Sequence, residues 1–217
     1  MKDSTQAICG ELVTRLPELL PLEKSILATV ELLCDCFARG GKLLVCGNGG
    51  SAADSEHIVG ELMKGFLLRR PLSAAMQEKL ERLYPEDAQI MANALQQGLP
   101  AISLISQTAL MTAFGNDMSA QMGMAQQVLG YGRANDILLA ISTSGNSTNV
   151  LYAAKMARVL GVGVIGLTGE SGGKLKELCD VCLCAPSSVT FRIQEYHLPI
   201  YHCICACVES EAFGEPI

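Results

Sequence analysis

Lys42-Leu43-Leu44-Val45-Cys46-Gly47-Asn48-Gly49-Gly50-Ser51 decides the fold. A short apolar run is closed by a glycine-rich turn and followed by the helix-compatible stretch Ala52 to Phe66, which spells strand, loop, helix. The same order returns at Asp136–Ile141, Ser142–Ser147 and Thr148–Leu160, and again at Gly163–Leu167, Thr168–Gly173 and Lys174–Leu178. Apolar runs at Ala101–Leu104 and Val181–Cys184 bring the strands to five. These runs are continuous rather than alternating, as strands buried on both faces require. The sequence therefore predicts an α/β fold, a doubly wound five-stranded parallel sheet flanked by helices.

Outward from that core, apolar residues recur at three- and four-residue steps between Ser4 and Arg39, broken at Pro17 and Pro21. Two helices, or one kinked helix, ending at Gly40-Gly41 account for residues 1–40. Residues 73–98 favour helix, interrupted at Tyr84-Pro85, and carry no strand signal, so they are expected to form an inserted helical hairpin. A long helix from about Arg192 to Glu211, with Pro199 inside it, follows the last strand. The expectation is one domain spanning residues 1–217.

Composition narrows the function. Lys and Arg number 16 against 22 Asp and Glu, giving a formal charge of −6, and only 18% of residues are charged against 49% hydrophobic. An acidic chain of this kind is not expected to bind nucleic acid, and it is too apolar to be disordered. No apolar run reaches the length of a membrane-spanning helix, and Met1–Thr5 does not open like a secretion signal, so neither membrane insertion nor secretion is expected. Ten cysteines in 217 residues read as reduced, buried thiols of a cytoplasmic protein rather than as disulfide staples. The spacings at Cys34/Cys36, Cys179/Cys182/Cys184 and Cys203/Cys205/Cys207 do not suit a thiolate zinc site, since small buried hydrophobes explain them.

The loops Gly47–Ser51 and Ser142–Ser147 each lie between a strand and a helix. Such a turn aims free N–H groups and the positive end of the helix dipole at one point, so it holds an anion without a lysine. Ser51, Ser142, Thr143, Ser144 and Ser147 add hydroxyl donors, which together suit a small phosphorylated ligand. No P-loop lysine is present, which disfavours nucleoside triphosphates. Gly47-x-Gly49-x-x-Ala52 satisfies a dinucleotide fingerprint, yet Leu67-Leu68-Arg69-Arg70-Pro71 stands where a second strand ending in an acid would be needed. Gly169-Glu170-Ser171-Gly172-Gly173 imitates a nucleophile elbow, but only nine residues separate Ser171 from Asp180, too few for a hydrolase triad.

The chain has three histidines: His57, His197 and His202. His57 and Glu61 are four apart on the helix after the first glycine loop, so they share a face. An imidazole and carboxylate there can bind a divalent metal or move protons, although a plain surface pair has the same spacing. Gln194 and His202, eight apart on the last helix, address neighbouring space, whereas His197 points elsewhere. The effect of Pro199 on their aim is left open by the sequence.

Cys46-Gly47-Asn48-Gly49-Gly50-Ser51-Ala52, His57-x-x-x-Glu61, Gly115-Asn116-Asp117, Ile141-Ser142-Thr143-Ser144-Gly145-Asn146-Ser147, Leu167-Thr168-Gly169 with Gly172-Gly173-Lys174, and Arg192-Ile193-Gln194-Glu195 together resemble, in order, the sugar isomerase (SIS) family and within it the phosphoheptose isomerases. The likeness covers nearly the whole chain except 73–98. It implies aldose–ketose isomerisation of a phosphorylated sugar, sedoheptulose 7-phosphate to a heptose 7-phosphate, through an enediol. It further implies a homotetramer with sites at subunit boundaries. Zinc is implied near His57, Glu61, Gln194 and His202, with substrate held by Asn48, Gly49, Gly50, Ser51, Asn116, Asp117, Ser142, Thr143, Ser144, Ser147 and Gln194. Glu61 is assigned as base and His202 as its partner. Gln107 and Phe191 stand where the family tends to place acids, which changes the sugar hydroxyls the site can satisfy. SIS modules also serve as non-catalytic phosphosugar sensors, and one relative binds the replication initiator. The latter lacks the equivalents of Glu61 and His202, and both residues are present here.

Overall fold

The computed structural model describes residues 1–214; residues 215–217 of the expected domain lie outside the described residues. The chain opens with α1 (Asp3–Arg15), a 3-10 turn (Pro17–Leu22) and α2 (Glu23–Ala38), so the two prolines do separate two helices. Then come β1 (Leu43–Cys46) and α3 (Gly50–Met63), the hairpin α4 (Ala74–Leu83) and α5 (Ala88–Ala94), and β2 (Ala101–Ser103). Next are α6 (Thr108–Phe114), which passes into a π turn at Gly115–Ser119, and α7 (Gly123–Tyr131). The remainder is β3 (Ile137–Ser142), α8 (Thr148–Val159), β4 (Gly163–Thr168), β5 (Val181–Cys184) and α9 (Thr190–Phe213).

The five strands run parallel in the order β2-β1-β3-β4-β5. That order reverses between β1 and β3, so the crevice above their carboxyl ends is where such a sheet binds ligands. Side chains alternate across the sheet. Leu43, Val45, Leu139, Ile165 and Leu183 face a core shared with α1, α2 and α9, while Leu44, Leu138, Ala140 and Val164 face α7 and α8.

Three predicted boundaries need correction. Lys174–Leu178 is part of a 3-10 turn, Gly173–Leu178, not an α-helix, because left-handed Gly172 and Gly173 (φ 72° and 54°) start it in a conformation only glycine enters freely. The helix after the first loop begins at Gly50 and stops at Met63 rather than Phe66. Lys64 turns extended, and the Phe66, Leu67 and Leu68 N–H groups donate to the Glu209 carboxylate (2.7–3.0 Å) instead of continuing the helix. The last helix starts at Thr190, and it runs through Pro199 without interruption.

Candidate active site

Two glycine loops meet at the switch point. Gly47 is obligatory, since a Cβ there would lie 2.6 Å from the Ser51 carbonyl oxygen. Gly49 (φ 55°, ψ −120°) turns the chain into α3, which buries Ser51 in the first helical turn. Across from it, Ser142 is buried and donates to Ser147 Oγ (3.0 Å), while Ser144 Oγ accepts from Asn146 N (3.1 Å). The two loops are tied by Asn48 and Asn149, whose side-chain amides exchange two hydrogen bonds of 2.9 and 2.8 Å. The third loop locks in behind. Gly169 N donates to Thr143 O (2.9 Å), and a Cβ on Gly145 (φ 62°) would stand 2.0 Å from Gly172 O. The result is an uncharged cup of hydroxyls and helix N-termini.

A second cluster lies further along α3, where α9 packs against it. His57 Nε2 is 3.2 Å from Glu61 Oε1 and 3.4 Å from His202 Nε2. Lys64 Nζ donates to Glu61 Oε2 (2.9 Å), and the Glu61 side chain is 14% exposed. Burial works to raise the Glu61 carboxyl, but the hydrogen bond and charge of Lys64, joined by His57, hold it below the ordinary carboxylate range. Burial, and then the charge His57 can carry, lower His202, so that ring is neutral at neutral pH. The Phe66 ring centroid lies 5.5 Å from that of His202.

Beneath Glu61 is a buried ion pair. Arg70 Nε donates to Glu209 Oε1 (2.7 Å), with side chains 0% and 1% exposed, and Arg70 Nη1 and Nη2 reach the Leu62 and Glu61 carbonyls (2.7 and 3.3 Å). This pair fastens the end of α3, and thereby Glu61, to α9.

The structure thus brings together His57, Glu61 and His202 from segments about 145 residues apart in sequence. Gln194 is not gathered with them as the side chains stand. Its amide packs against Gly50, where a Cβ would be 2.4 Å away, about 10 Å along the α3 axis from His57. Asn116 and Asp117, in the π turn, are exposed and hydrogen-bonded to one another (2.9 Å). Phe191 is exposed. His197 is fully buried and bonded to the Thr168 carbonyl (3.1 Å), away from the cluster. Ser171 and Asp180 lie at opposite ends of the sheet. Ser171 follows the end of β4, while Asp180 binds Val164 near its start and takes Arg158 (2.6 Å), so the nucleophile-elbow motif has no triad. Tyr201, Asp54, Lys64 and the Arg70–Glu209 pair were not singled out by the sequence, although buried Arg70 within the Leu67–Pro71 stretch was a charge without an obvious partner.

Among the described residues no group of three or more His, Cys, Asp or Glu side chains is placed so that it could hold a metal ion. All ten cysteines are free thiols, most of them buried.

The SIS domain family matches residues 11–93 and 91–169. A phosphoheptose isomerase of Roseiflexus sp. is 40% identical over 190 residues, covering 88% of this chain and 83% of its own. The solved phosphoheptose isomerase of Neisseria gonorrhoeae superposes with TM-score 0.71 at 33% identity, covering 94% of this chain and 93% of that one. That of Francisella tularensis gives 0.73 at 33% identity, with 90% and 91% covered. Together with the cup and the His57–Glu61–His202 cluster, these likenesses place the chain: it belongs to the SIS family, among the phosphoheptose isomerases.

Proposed function

We propose that this protein interconverts sedoheptulose 7-phosphate and a heptose aldose 7-phosphate. The observation that carries the reading is the separation of an anion cup from a carboxylate–imidazole cluster along one helix. Ser51 and Glu61 are ten residues apart on α3, about 15 Å along its axis between backbones, less the extra reach of the longer Glu61 side chain, since both lean toward the N-terminus. A long acyclic phosphosugar spans that distance better than a triose phosphate. The cup takes the phosphoryl group on Ser51, Ser142, Thr143, Ser144 and Ser147, and Asn48, Gly49, Gly50, Asn116, Asp117 and Gln194 are assigned to the remaining substrate contacts.

Moving the carbonyl between C1 and C2 requires a proton to leave one carbon and return to the other, while a second proton crosses between O1 and O2. Glu61, kept ionised by Lys64 and His57, takes the carbon proton to give the enediol and returns it to the neighbouring carbon. Neutral His202 carries the proton between the two oxygens. The non-catalytic alternative is not favoured, because the relatives matched over most of the chain are phosphoheptose isomerases.

The residue types suit zinc, but as the side chains stand no group of three or more His, Cys, Asp or Glu among the described residues could hold a metal ion, so binding requires them to shift. Tetrahedral ligands at 2.0–2.1 Å are about 3.3 Å from one another, and the 3.2 and 3.4 Å separations around His57 Nε2 match such edges. His57, Glu61 and His202 would hold it, with Gln194 joining only if its amide leaves Gly50. When bound, the cation supplies polarisation of the sugar carbonyl. A carboxylate that grips metal is a poorer base, so the two roles of Glu61 compete.

The working form is proposed to be a cytoplasmic homo-oligomer, a tetramer by family likeness. A groove of about 470 Å³ between α1 and α9, lined in part by Leu12, Leu16, Leu198 and His202, leaves the cluster open on one side. Among the described residues no helix is long and apolar enough to cross a membrane.

The test is an aldose–ketose assay over C5 to C7 phosphosugars with and without zinc, on the wild type and Glu61→Gln. The wild type should turn over the C7 substrate, and the variant should lose about 10²–10⁴ in kcat with unchanged unfolding. Turnover undiminished in Glu61→Gln removes the base assignment, and phosphosugar binding without turnover in the wild type removes the enzyme.

A further inference from the structure

Six of the ten cysteines are buried, and three of the four that are not stand together at the edge of the sheet: Cys179, Cys182 and Cys184. The expectation of small buried hydrophobes therefore fails for this group. Cys182 and Cys184 lie two apart on the edge strand β5 and so share a face, opposite Gly166 and Thr168 of β4. Cys182 Sγ is 3.7 Å from Cys184 Sγ and 3.7 Å from Thr168 Oγ1, which is in turn 3.5 Å from Cys184 Sγ. Cys179 arrives from outside the strand, at the end of the 3-10 turn, with its thiol on the Leu175 carbonyl (3.1 Å). A Cβ on Gly166 would lie 2.7 Å from Cys179 Sγ and 3.1 Å from Cys182 Sγ. The side chain that Gly166 lacks is thus the space these two sulfurs share.

Pleat geometry decides which thiols can join. Along a strand, Cβ atoms two residues apart are separated by about 6.6 Å, whereas a disulfide spans about 3.5–4.5 Å. Cys182 and Cys184 therefore cannot bond without breaking β5. Cys179 escapes that constraint, because it precedes the strand and the chain bends at Asp180 between them. Hydrogen bonding from Cys179 outweighs burial and, joined by Thr168, Cys184 and the charge of Lys176, holds the Cys182 thiol below the ordinary thiol range. Cys34, the remaining partly exposed cysteine, is the contrast: burial, with Glu211 and Asp35 nearby, pushes its thiol up to about 11. Peroxides act on accessible thiolates, and a second cysteine beside one resolves the product.

We infer that Cys182 is an oxidation site for hydroperoxides, with Cys179 as its resolving thiol. The Cys182 thiolate sulfur attacks one oxygen of hydrogen peroxide; the O–O bond breaks, hydroxide leaves, and the sulfur becomes a sulfenic acid. The Cys179 sulfur then gives up its proton and attacks the Cys182 sulfur. An S–S bond forms, the S–O bond breaks, and the departing hydroxide takes up that proton as water. In sum the two thiols lose two electrons and two protons, and the peroxide is reduced to two waters. The chemistry uses none of the residues assigned to the sugar, so it stands apart from the isomerase reading.

The test treats the whole reduced protein with stoichiometric hydrogen peroxide and maps the products by tandem mass spectrometry of alkylated peptides. A Cys179–Cys182 disulfide, reversed by dithiothreitol, should form at least about tenfold faster than Cys34 is oxidised. In Cys179→Ser, dimedone should instead trap Cys182 as its sulfenic acid. Oxidation of Cys34 as fast as that of Cys182 overturns the inference in the wild type alone, and so does a Cys182–Cys184 disulfide. A folded Cys179→Ser protein in which dimedone leaves Cys182 unlabelled overturns it as well.

Discussion

The anion cup and the His57–Glu61–His202 cluster sit on one helix but are held by opposite means. The cup is made by the local chain: glycines at positive φ, serines in adjacent turns, and loops joined by short backbone bonds. The cluster is made by tertiary packing, since α3 and α9 are put side by side by the sheet, a shared apolar core and the Arg70–Glu209 pair. The cup should therefore survive loosening of α9, and the cluster should survive damage to the glycine loops.

The largest effect is expected from Glu209→Ala. It leaves the Arg70 guanidinium buried without its carboxylate and strips three backbone N–H groups of their acceptor. Removing one partner of a buried pair costs about 3–5 kcal/mol, read as a shift of the urea midpoint. Turnover should fall with it, because Glu61 sits on the segment that Arg70 anchors. Affinity for inorganic phosphate, measured below the unfolding transition, should hold. A parallel loss of phosphate binding would show that the cup also depends on α9.

Gly145→Ala is the converse. At φ 62° an alanine is strained by about 1–2 kcal/mol, and its Cβ would strike Gly172 O, a backbone atom that cannot swing aside. The expected cost is roughly 2–4 kcal/mol in all. KM should rise well before kcat falls, because the phosphate grip is lost while Glu61 and His202 stay in place. A kcat loss with KM unchanged would contradict the division between the two regions.

This division also explains what could be read in advance. The strand–loop–helix order, the five parallel strands and the serine-rich loops are properties of contiguous residues, so they were visible in the sequence. His57 and Glu61 were visible for the same reason, being one helical turn apart. That Gln194 would pack against Gly50 rather than join the histidines was not visible, because it depends on how far α9 is slid along α3. Tyr201 reads as one more core aromatic until its hydroxyl is seen to cross to the other helix. Glu209 reads as a surface acid near the end of an apolar helix, and only the return of the chain at Phe66–Arg70 reveals its role.

His197 joins the two regions, since it lies on α9 and holds the Thr168 carbonyl at the end of β4. Burial pushes its imidazole down to about 4. The unfolded chain, with histidine near 6.5, binds the extra proton first, so stability falls as pH drops from about 6.5 towards 4. The expected loss is about 2 kcal/mol between neutral pH and pH 5. His197→Gln retains an amide donor for Thr168 and does not titrate, so its urea midpoint should change less over this interval. Equal slopes for both proteins would mean that other groups cause the acid loss.

The smallest effect tests the tie between the two glycine loops. Asn149 Oδ1 accepts from both Asn48 Nδ2 (2.9 Å) and Val150 N (3.0 Å), and Asn149 Nδ2 donates to Asn48 Oδ1 (2.8 Å). The Asn48 side of the pair is open to solvent, so water replaces much of what Asn149→Ala removes, and the stability cost should be only about 0.5–1 kcal/mol. The loops nevertheless come from β1 and β3, on either side of the switch point, and without the amide pair nothing but the strands sets their spacing. Their hydroxyls would then have to be ordered by the ligand itself, which weakens binding without touching the chemical step. Asn149→Ala should therefore raise KM several-fold at constant kcat and nearly constant unfolding midpoint. A kinetically silent variant would mean that strand pairing at Cys46 and Ala140 already fixes the cup, making the local construction of this region more complete than its loops alone suggest.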